Sequence, residues 1–265
     1  MRKRYDLRRF EARATRLVLA LGGVLTFGCG EAHLGSNVLW SDDFESGDLS
    51  AWTANDEGGS SASEGSAVEV TSEVARRGRY ALRLRANTDG VSGGGAAAQR
   101  RFPTPEPAYY SAWFYVPEDT QNRTSSWNIM AFDSIDPLDP EEPEKVWSGI
   151  HLNLRRLPNG ELALLVFHND RAYLQAPLAA PAATAQLRRW FHLEARFVLS
   201  SEDGEIAVWL DGAPVYHFTG RPTGVGSVLQ FSVSHSGRRL EPVVSELFVD
   251  DVVVSRDRVT PQGEL

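Results

Sequence analysis

Three short stretches place polar side chains of related chemistry on alternate positions. In 149–155, His151, Asn153 and Arg155 alternate with Ile150, Leu152 and Leu154. In 228–235, Gln230, Ser232 and Ser234 alternate with Leu229, Phe231 and Val233, and in 96–102 Gln99 and Arg101 fall on one side. Amides and hydroxyls both donate and accept hydrogen bonds, imidazole does either, and a guanidinium offers a planar fork to a carboxylate. The chemistry expected of such a set is recognition of hydroxyls and carboxylates. A period of two is the period of a β-strand, so each stretch presents its polar set on one face of a sheet. The expected binding residues are Gln99, Arg101, His151, Asn153, Arg155, Gln230 and Ser232. Trp147 and Tyr173 flank loops near these strands and are the expected stacking platforms.

A second constellation is acidic. Asp43 and Glu45 lie on the same side of the first apolar run, and Asp250 lies in the last. Hard oxygen ligands on adjoining strands suit one structural Ca²⁺, the only cofactor expected. His192, Glu194 and Arg196 alternate with Leu193, Ala195 and Phe197 and read as a cross-strand charge ladder on an outer face. The acidic residues between Asp133 and Glu144 read as a solvated loop. Other chemistries are excluded by what is missing. The chain has no Glu-x-Asp-x-x-Glu run to pair carboxylates for glycoside hydrolysis, no Gly-x-Ser-x-Gly elbow, and no lysine after the glycines at 93–95.

The elements that must position these residues are strands. Apolar runs of strand length lie at 38–44, 67–71, 79–86, 96–102, 109–116, 126–133, 147–155, 161–168, 190–199, 205–211, 214–218, 228–235 and 246–254, with no helical period between them. Asp211-Gly212 and Leu157-Pro158-Asn159-Gly160-Glu161 are hairpin turns by composition. Residues 54–66 and 87–95 read as mobile Gly/Ser-rich loops, 134–145 as an acidic Pro-rich loop, and 176–187 as an Ala/Pro-rich loop that crosses one mouth of the fold. This many strands without helices specifies an all-β, two-sheet antiparallel β-sandwich of jelly-roll type. The first and last strands frame it and bring the termini side by side. One domain over 38–257, with a tail at 258–265, accommodates the length.

The first 28 residues stand apart. Seven basic residues precede the apolar run Leu17 to Phe27, which ends at Gly28-Cys29-Gly30. A basic segment, a short apolar stretch and a small residue at the cut describe a secretory signal; a bilayer span needs about 20 apolar residues. Cys29 is the single cysteine, and its position after Gly28 resembles the lipobox of bacterial lipoproteins, although Thr26 stands where those usually have leucine. That resemblance implies a signal peptide over 1–28, lipidation of Cys29, a tether over 29–37, and a membrane-anchored protein facing the periplasm or the cell surface. Cleavage removes seven of the 27 basic and two of the 35 acidic side chains, which takes the net charge from −8 to near −13. A field of that sign repels nucleic acid, which is excluded as a partner.

Gly78-Arg79-Tyr80-Ala81-Leu82-Arg83-Leu84, Tyr109-Tyr110-Ser111-Ala112-Trp113-Phe114-Tyr115-Val116-Pro117 and Asp203-Gly204-Glu205-Ile206-Ala207-Val208-Trp209-Leu210-Asp211-Gly212 follow one another in order. With the terminal strands they resemble the concanavalin A-like lectin/glucanase jelly roll over roughly residues 40–255. Within it they are most similar to heparin-lyase-I-like polysaccharide lyases and LamG-like domains. The resemblance implies a monomeric carbohydrate-binding domain that holds a glycan across the concave sheet, where the three polar strands would lie. It implies, alternatively, a lyase of uronic-acid glycans, with His151, Tyr173 and Arg155 in the catalytic roles, or a structural module with no sugar site. The lyases carry a Gln-x-His strand and a later strand with Lys and Tyr. Here those places hold Asn128-Ile129-Met130-Ala131-Phe132-Asp133 and Leu229-Gln230-Phe231-Ser232-Val233-Ser234-His235.

Overall fold

The computed structural model describes residues 37–89, 93–103, 105–117, 120–122, 126–135, 146–168, 171–173 and 184–261; at 56, 121–122, 146–148 and 171–173 it describes the backbone alone. The signal, Cys29 and most of the two Pro-rich loops lie outside the described residues.

In chain order the strands are β1 Val38–Asp42, β2 Gly58–Ala62, β3 Ala67–Thr71, β4 Ala81–Asn87, β5 Gly94–Pro103, β6 Ala108–Tyr115, β7 Gln121–Asn122, β8 Trp127–Ile135 and β9 Val146–Arg156. They continue with β10 Leu162–His168, β11 Arg171–Tyr173, β12 Thr184–Ala185, β13 Phe191–Val198, β14 Gly204–Leu210, β15 Ala213–Arg221, β16 Val228–Gly237, β17 Leu240–Glu241 and β18 Val244–Ser255. One short helix, α1 Ser50–Thr53, follows β1. Two antiparallel sheets form the sandwich. The first runs β15-β14-β13-β6-β18-β4-β3 with β1 on β18; the second runs β11-β10-β9-β8-β16-β5-β2 with β12 on β10. The expected fold class is the observed one, and the expected apolar runs overlap β1, β3–β6, β8–β10, β13–β16 and β18.

The first and last strands pair as expected. Val38 lies opposite Ser255 and Asp42 opposite Val252. Between the sheets the core is aromatic. Phe132 of the second sheet stacks on Phe197 of the first at 4.6 Å, and Tyr110 meets Phe132 and Phe231 at 5.2 and 5.1 Å. These rings are fully buried. Aromatic pairs at such separations add to the area they remove from water, and here they tie one sheet to the other.

Residues 54–66 are not simply a loop. Gly58–Ala62 pairs with Ala96–Arg100 as the edge strand of the second sheet. Glycine and serine carry little strand propensity; Arg100 supplies the order instead. Its buried guanidinium donates to the carbonyls of Ala51 and Ala54 and pairs with Glu57 at 2.6 Å, so it closes the end of α1 and delivers the chain to β5. The segment 87–95 is likewise partly strand, since β4 extends to Asn87 and β5 begins at Gly94.

Asp211 and Gly212 form the β14–β15 turn with φ of 49° and 81°, the left-handed pair that a two-residue hairpin requires. Asp211 also accepts the His192 backbone N–H on Oδ1 at 2.8 Å and so pins the start of β13. Asp211→Ala loses both the tolerance of positive φ and that acceptor. It is expected to cost about 1–2 kcal/mol, read as a lower urea midpoint at unchanged slope.

Candidate functional site

The outward face of the second sheet carries the polar set. Across the sheet Gln99 lies opposite Ser232, Ser232 opposite Ala131, Ala131 opposite His151, and His151 opposite Phe167. In the next row Arg101 lies opposite Gln230, and Gln230 opposite Asp133. On the other side of the first row, Asn128 lies opposite Asn153 and Asn153 opposite Leu165. The alternation predicted from sequence holds: Ile150, Leu152, Leu154, Leu229, Phe231 and Val233 are all buried in the core.

The face is shaped by side-chain size. Its two central strands present Gln230, Ser232 and Ser234 on β16 and Asp133, Ala131 and Asn128 on β8, so the smallest side chains meet in the row of Ser232 and Ala131, while β5 and β9 present Gln99, Arg101, His151, Asn153 and Arg155. Strands are about 4.8 Å apart, so β5 and β9 stand about 14 Å apart, with small side chains as floor between them. Gln230, Ser232 and Ser234 are only 7, 6 and 4% exposed although they face away from the core. The site is therefore a trough that is deepest where Ser232 and Ala131 meet.

Part of the lining is locked into a network. Ser234 hydrogen-bonds Asn128, Asn128 donates to Asn153 Oδ1 at 3.1 Å, and Asn153 donates to Ser126 Oγ at 3.1 Å. Arg101 Nε donates to Gln230 Oε1 at 3.3 Å. The remaining polar groups are not part of it. Among the described residues the Gln99 amide, the Ser232 hydroxyl, the Gln230 Nε2 group and His151 Nδ1 make no hydrogen bond.

His151 Nε2 lies 3.0 Å from Asp133 Oδ1, and the same oxygen accepts the Gly149 N–H at 3.1 Å. A carboxylate on Nε2 holds the hydrogen there and leaves Nδ1 as a lone-pair acceptor. The β8–β9 register shifts between Phe132 and Ser134, and Gly149 sits at that irregularity. A Cβ on Gly149 would strike the Phe132 carbonyl, so only glycine lets β9 come close enough for its N–H to reach Asp133.

Asp133, Asn128 and Phe167 are site residues that the sequence reading missed. Phe167 follows Leu164-Leu165-Val166, and an unbroken apolar run conceals which residues face outward. Asp133 is next to an acidic loop and takes on its character by composition. The backbone places Trp147 opposite Ser134 and Tyr173 opposite Val166; the side chains of both lie outside the described residues.

The acidic constellation does not assemble. Asp43 accepts the Glu45 N–H at 3.1 Å, and Glu45 Oε1 accepts the N–H groups of Arg79 and Tyr80, each at 2.8 Å. Asp250 accepts the N–H groups of Arg76 and Asp251, each at 2.8 Å. Asp43 and Glu45 each engage one oxygen and Asp250 both with backbone donors at separate points, and the described residues hold no group of three or more His, Cys, Asp or Glu fit for a metal. These carboxylates do not fit a shared Ca²⁺. Burial, joined by the charge of Asp251, pushes the Asp250 carboxyl up to about 7.

The stripe His192, Glu194 and Arg196 is a ladder only at its far end, where Arg196 pairs with Glu205. His192 and Glu194 are 1 and 0% exposed. The C-terminal residues turn back over them: Arg258 pairs with Glu194 at 2.9 Å and the Val259 N–H donates to it at 2.6 Å. Residues 258–261 belong to the fold and are not a free tail.

No protein-family model matches the sequence, and no curated protein matches it either. Solved structures do. The endo-β-1,4-glucuronan lyase of the fungus Trichoderma reesei superimposes with a TM-score of 0.56 at 18% identity, over 77% of this chain and 92% of that one. Cellulose induced protein, Cip1, superimposes with a TM-score of 0.50 at 16% identity, over 83% of this chain and 98% of that one. The similarity is one of fold: this chain has the jelly-roll sandwich of those proteins.

With these carboxylates dispersed, chelation with EDTA is expected to leave the melting temperature unchanged, whereas a bound native-state ion would make it fall. Asp250 gives a pH signature. Its carboxyl binds a proton more tightly folded than unfolded, so its stabilising contribution is complete below pH 3.8 and is lost as the pH rises through about 7. Asp250→Asn removes that loss, so the variant's melting temperature should gain on wild type between pH 4 and 7.

Proposed function

We propose that this chain is a carbohydrate-binding protein that holds a polysaccharide along the trough of the second sheet. The observation that carries this reading is the row Gln99–Ser232–Ala131–His151: unpaired donors and acceptors above a floor of small side chains, ending at Phe167. A sugar ring needs that combination, an apolar face to lie on and mixed polar groups for its hydroxyls. Arg101 and Arg155 lie on the same face, and guanidinium is the side-chain group that matches a uronate carboxylate in planar geometry. The likeness in fold to a glucuronan lyase agrees with this class of ligand. Export and lipid anchoring at Cys29 belong to the same proposal and would place the trough at a bacterial envelope.

A second reading, polysaccharide lyase activity, is favoured by the His151–Asp133 pair alone. His151 Nδ1 would take the C5 proton of a uronate, the electron pair would form the C4=C5 double bond, and the C4–O bond would break. The leaving oxygen would then collect a proton. Arg155 or Arg101 would offset the charge of the carboxylate, and the Gln230 amide would donate a hydrogen bond to it.

A panel of neutral glycans and uronans separates these readings when bound ligand and the ultraviolet absorbance of an unsaturated product are recorded together. Retention of a uronan without absorbance is expected; rising absorbance would establish the lyase, and silence in both would leave a structural module. Gln230→Ala and His151→Ala should each weaken retention about tenfold, the worth of one or two hydrogen bonds to a bound sugar. Cys29→Ser should release the protein from membranes; retention equal to wild type would remove lipidation from the proposal.

A further inference from the structure

The first sheet carries a recess of its own. It lies between residues 72–80, the paired strands β6 and β13, and the returning C-terminal residues. Arg76, Arg77, Trp113, His192, Asp251 and Thr260 line it, and its free space is about 20 Å³, enough for one water-sized group.

The surroundings are built with some care. Asp250 fixes the 72–80 segment by accepting the backbone N–H groups of Arg76 and Arg77 at 2.8 and 3.3 Å. Arg76 lies over the Trp113 ring at 3.8 Å and pairs with Asp251. Asp251 itself holds a φ of 46°, a conformation that a non-glycine residue keeps only where its neighbours impose it.

Two groups are left without partners. His192 is 1% exposed, its Nδ1 is buried, and neither ring nitrogen makes a hydrogen bond among the described residues. A buried polar atom left so costs free energy unless something fills the role. The Arg77 guanidinium makes no ion pair or hydrogen bond among the described residues either. The charges around it cancel pairwise: Arg76 with Asp251, and Arg258 with Glu194. The remaining acid, Asp250, is raised to about 7 by burial and the neighbouring Asp251, so below that pH Arg77 is the surplus charge. Burial, joined by the charges of Arg76 and Arg258, holds His192 down to about 4, so the imidazole stays neutral with one ring N–H to donate.

We propose that this recess binds a small oxyanion or carboxylate, with one oxygen seated between the Arg77 guanidinium and the His192 ring N–H. A cation is disfavoured by the Arg77 guanidinium, and an apolar group by the charged lining. The site is independent of the glycan trough, which lies on the outward face of the other sheet.

The test is a titration of the folded protein with sodium sulfate and, separately, sodium acetate at constant ionic strength. It is read by the NMR shifts of the His192 ring and the Trp113 indole. Saturable shifts shared by both residues are expected, with sulfate or acetate dominating according to whether the natural ligand is an inorganic oxyanion or a carboxylate. Arg77 is exposed, so Arg77→Ala should fold normally; it should weaken the binding about tenfold, and Arg77→Lys should recover most of it. Gln230→Ala, in the trough, should leave the curve unchanged. Shifts that rise linearly without saturating, or a curve identical in Arg77→Ala, would overturn the proposal.

Discussion

The orientation of every outward group on the second sheet depends on where Phe132 points. It sits between Phe197, Tyr110 and Phe231 in the middle of the sandwich, a position no polar neighbour could occupy. With Phe132 fixed inward, Ala131 and Asp133 must face outward, because successive side chains on a strand alternate. A slip of one residue would bury Asp133 and expose the ring, at a cost of several kcal/mol in lost apolar burial and unpaired charge. The aromatic contact between the sheets thus selects the chemistry displayed on the far side of one of them.

That dependence explains what could be read from the amino-acid order and what could not. Strand alternation in 149–155 and 228–235 is a local property, and it identifies His151, Asn153, Gln230 and Ser232 as neighbours on one face. The partnership of His151 with Asp133 is not local. It requires the shifted register of β8 on β9 and the bare backbone of Gly149, and neither follows from composition. The edge strand β2 is hidden for a different reason: its glycines and serines have no pattern, and Arg100, some forty residues later in the chain, supplies the order. Glu194 looks like an outer-face ladder residue until the C-terminal residues are placed over it.

The acidic residues teach a related lesson. Asp43, Glu45 and Asp250 have the side chains of a calcium site, but each finds backbone N–H donors close in space before it finds another carboxylate. At bends and bulges the main chain leaves donors unpaired by ladder bonds, and an aspartate or glutamate satisfies them without bringing a second charge into the same volume. Repulsion between carboxylates then favours dispersal over clustering. The raised carboxyl of Asp250 is the residue of that compromise: three N–H groups hold it, yet burial and the neighbouring Asp251 work against its ionisation.

The pairing of β1 with β18 makes the domain almost circular. Asn37 hydrogen-bonds Asp257 and the Arg256 N–H donates to the Asn37 carbonyl, so a few residues would suffice to splice one end to the other. The loop at Pro158–Gly160 is an exposed hairpin crown on the far sheet, where cutting would sever no ladder bond. Splicing there and opening here would yield a permuted polypeptide with the same two sheets, and the uncut domain could equally be grafted whole into a surface loop of an unrelated host.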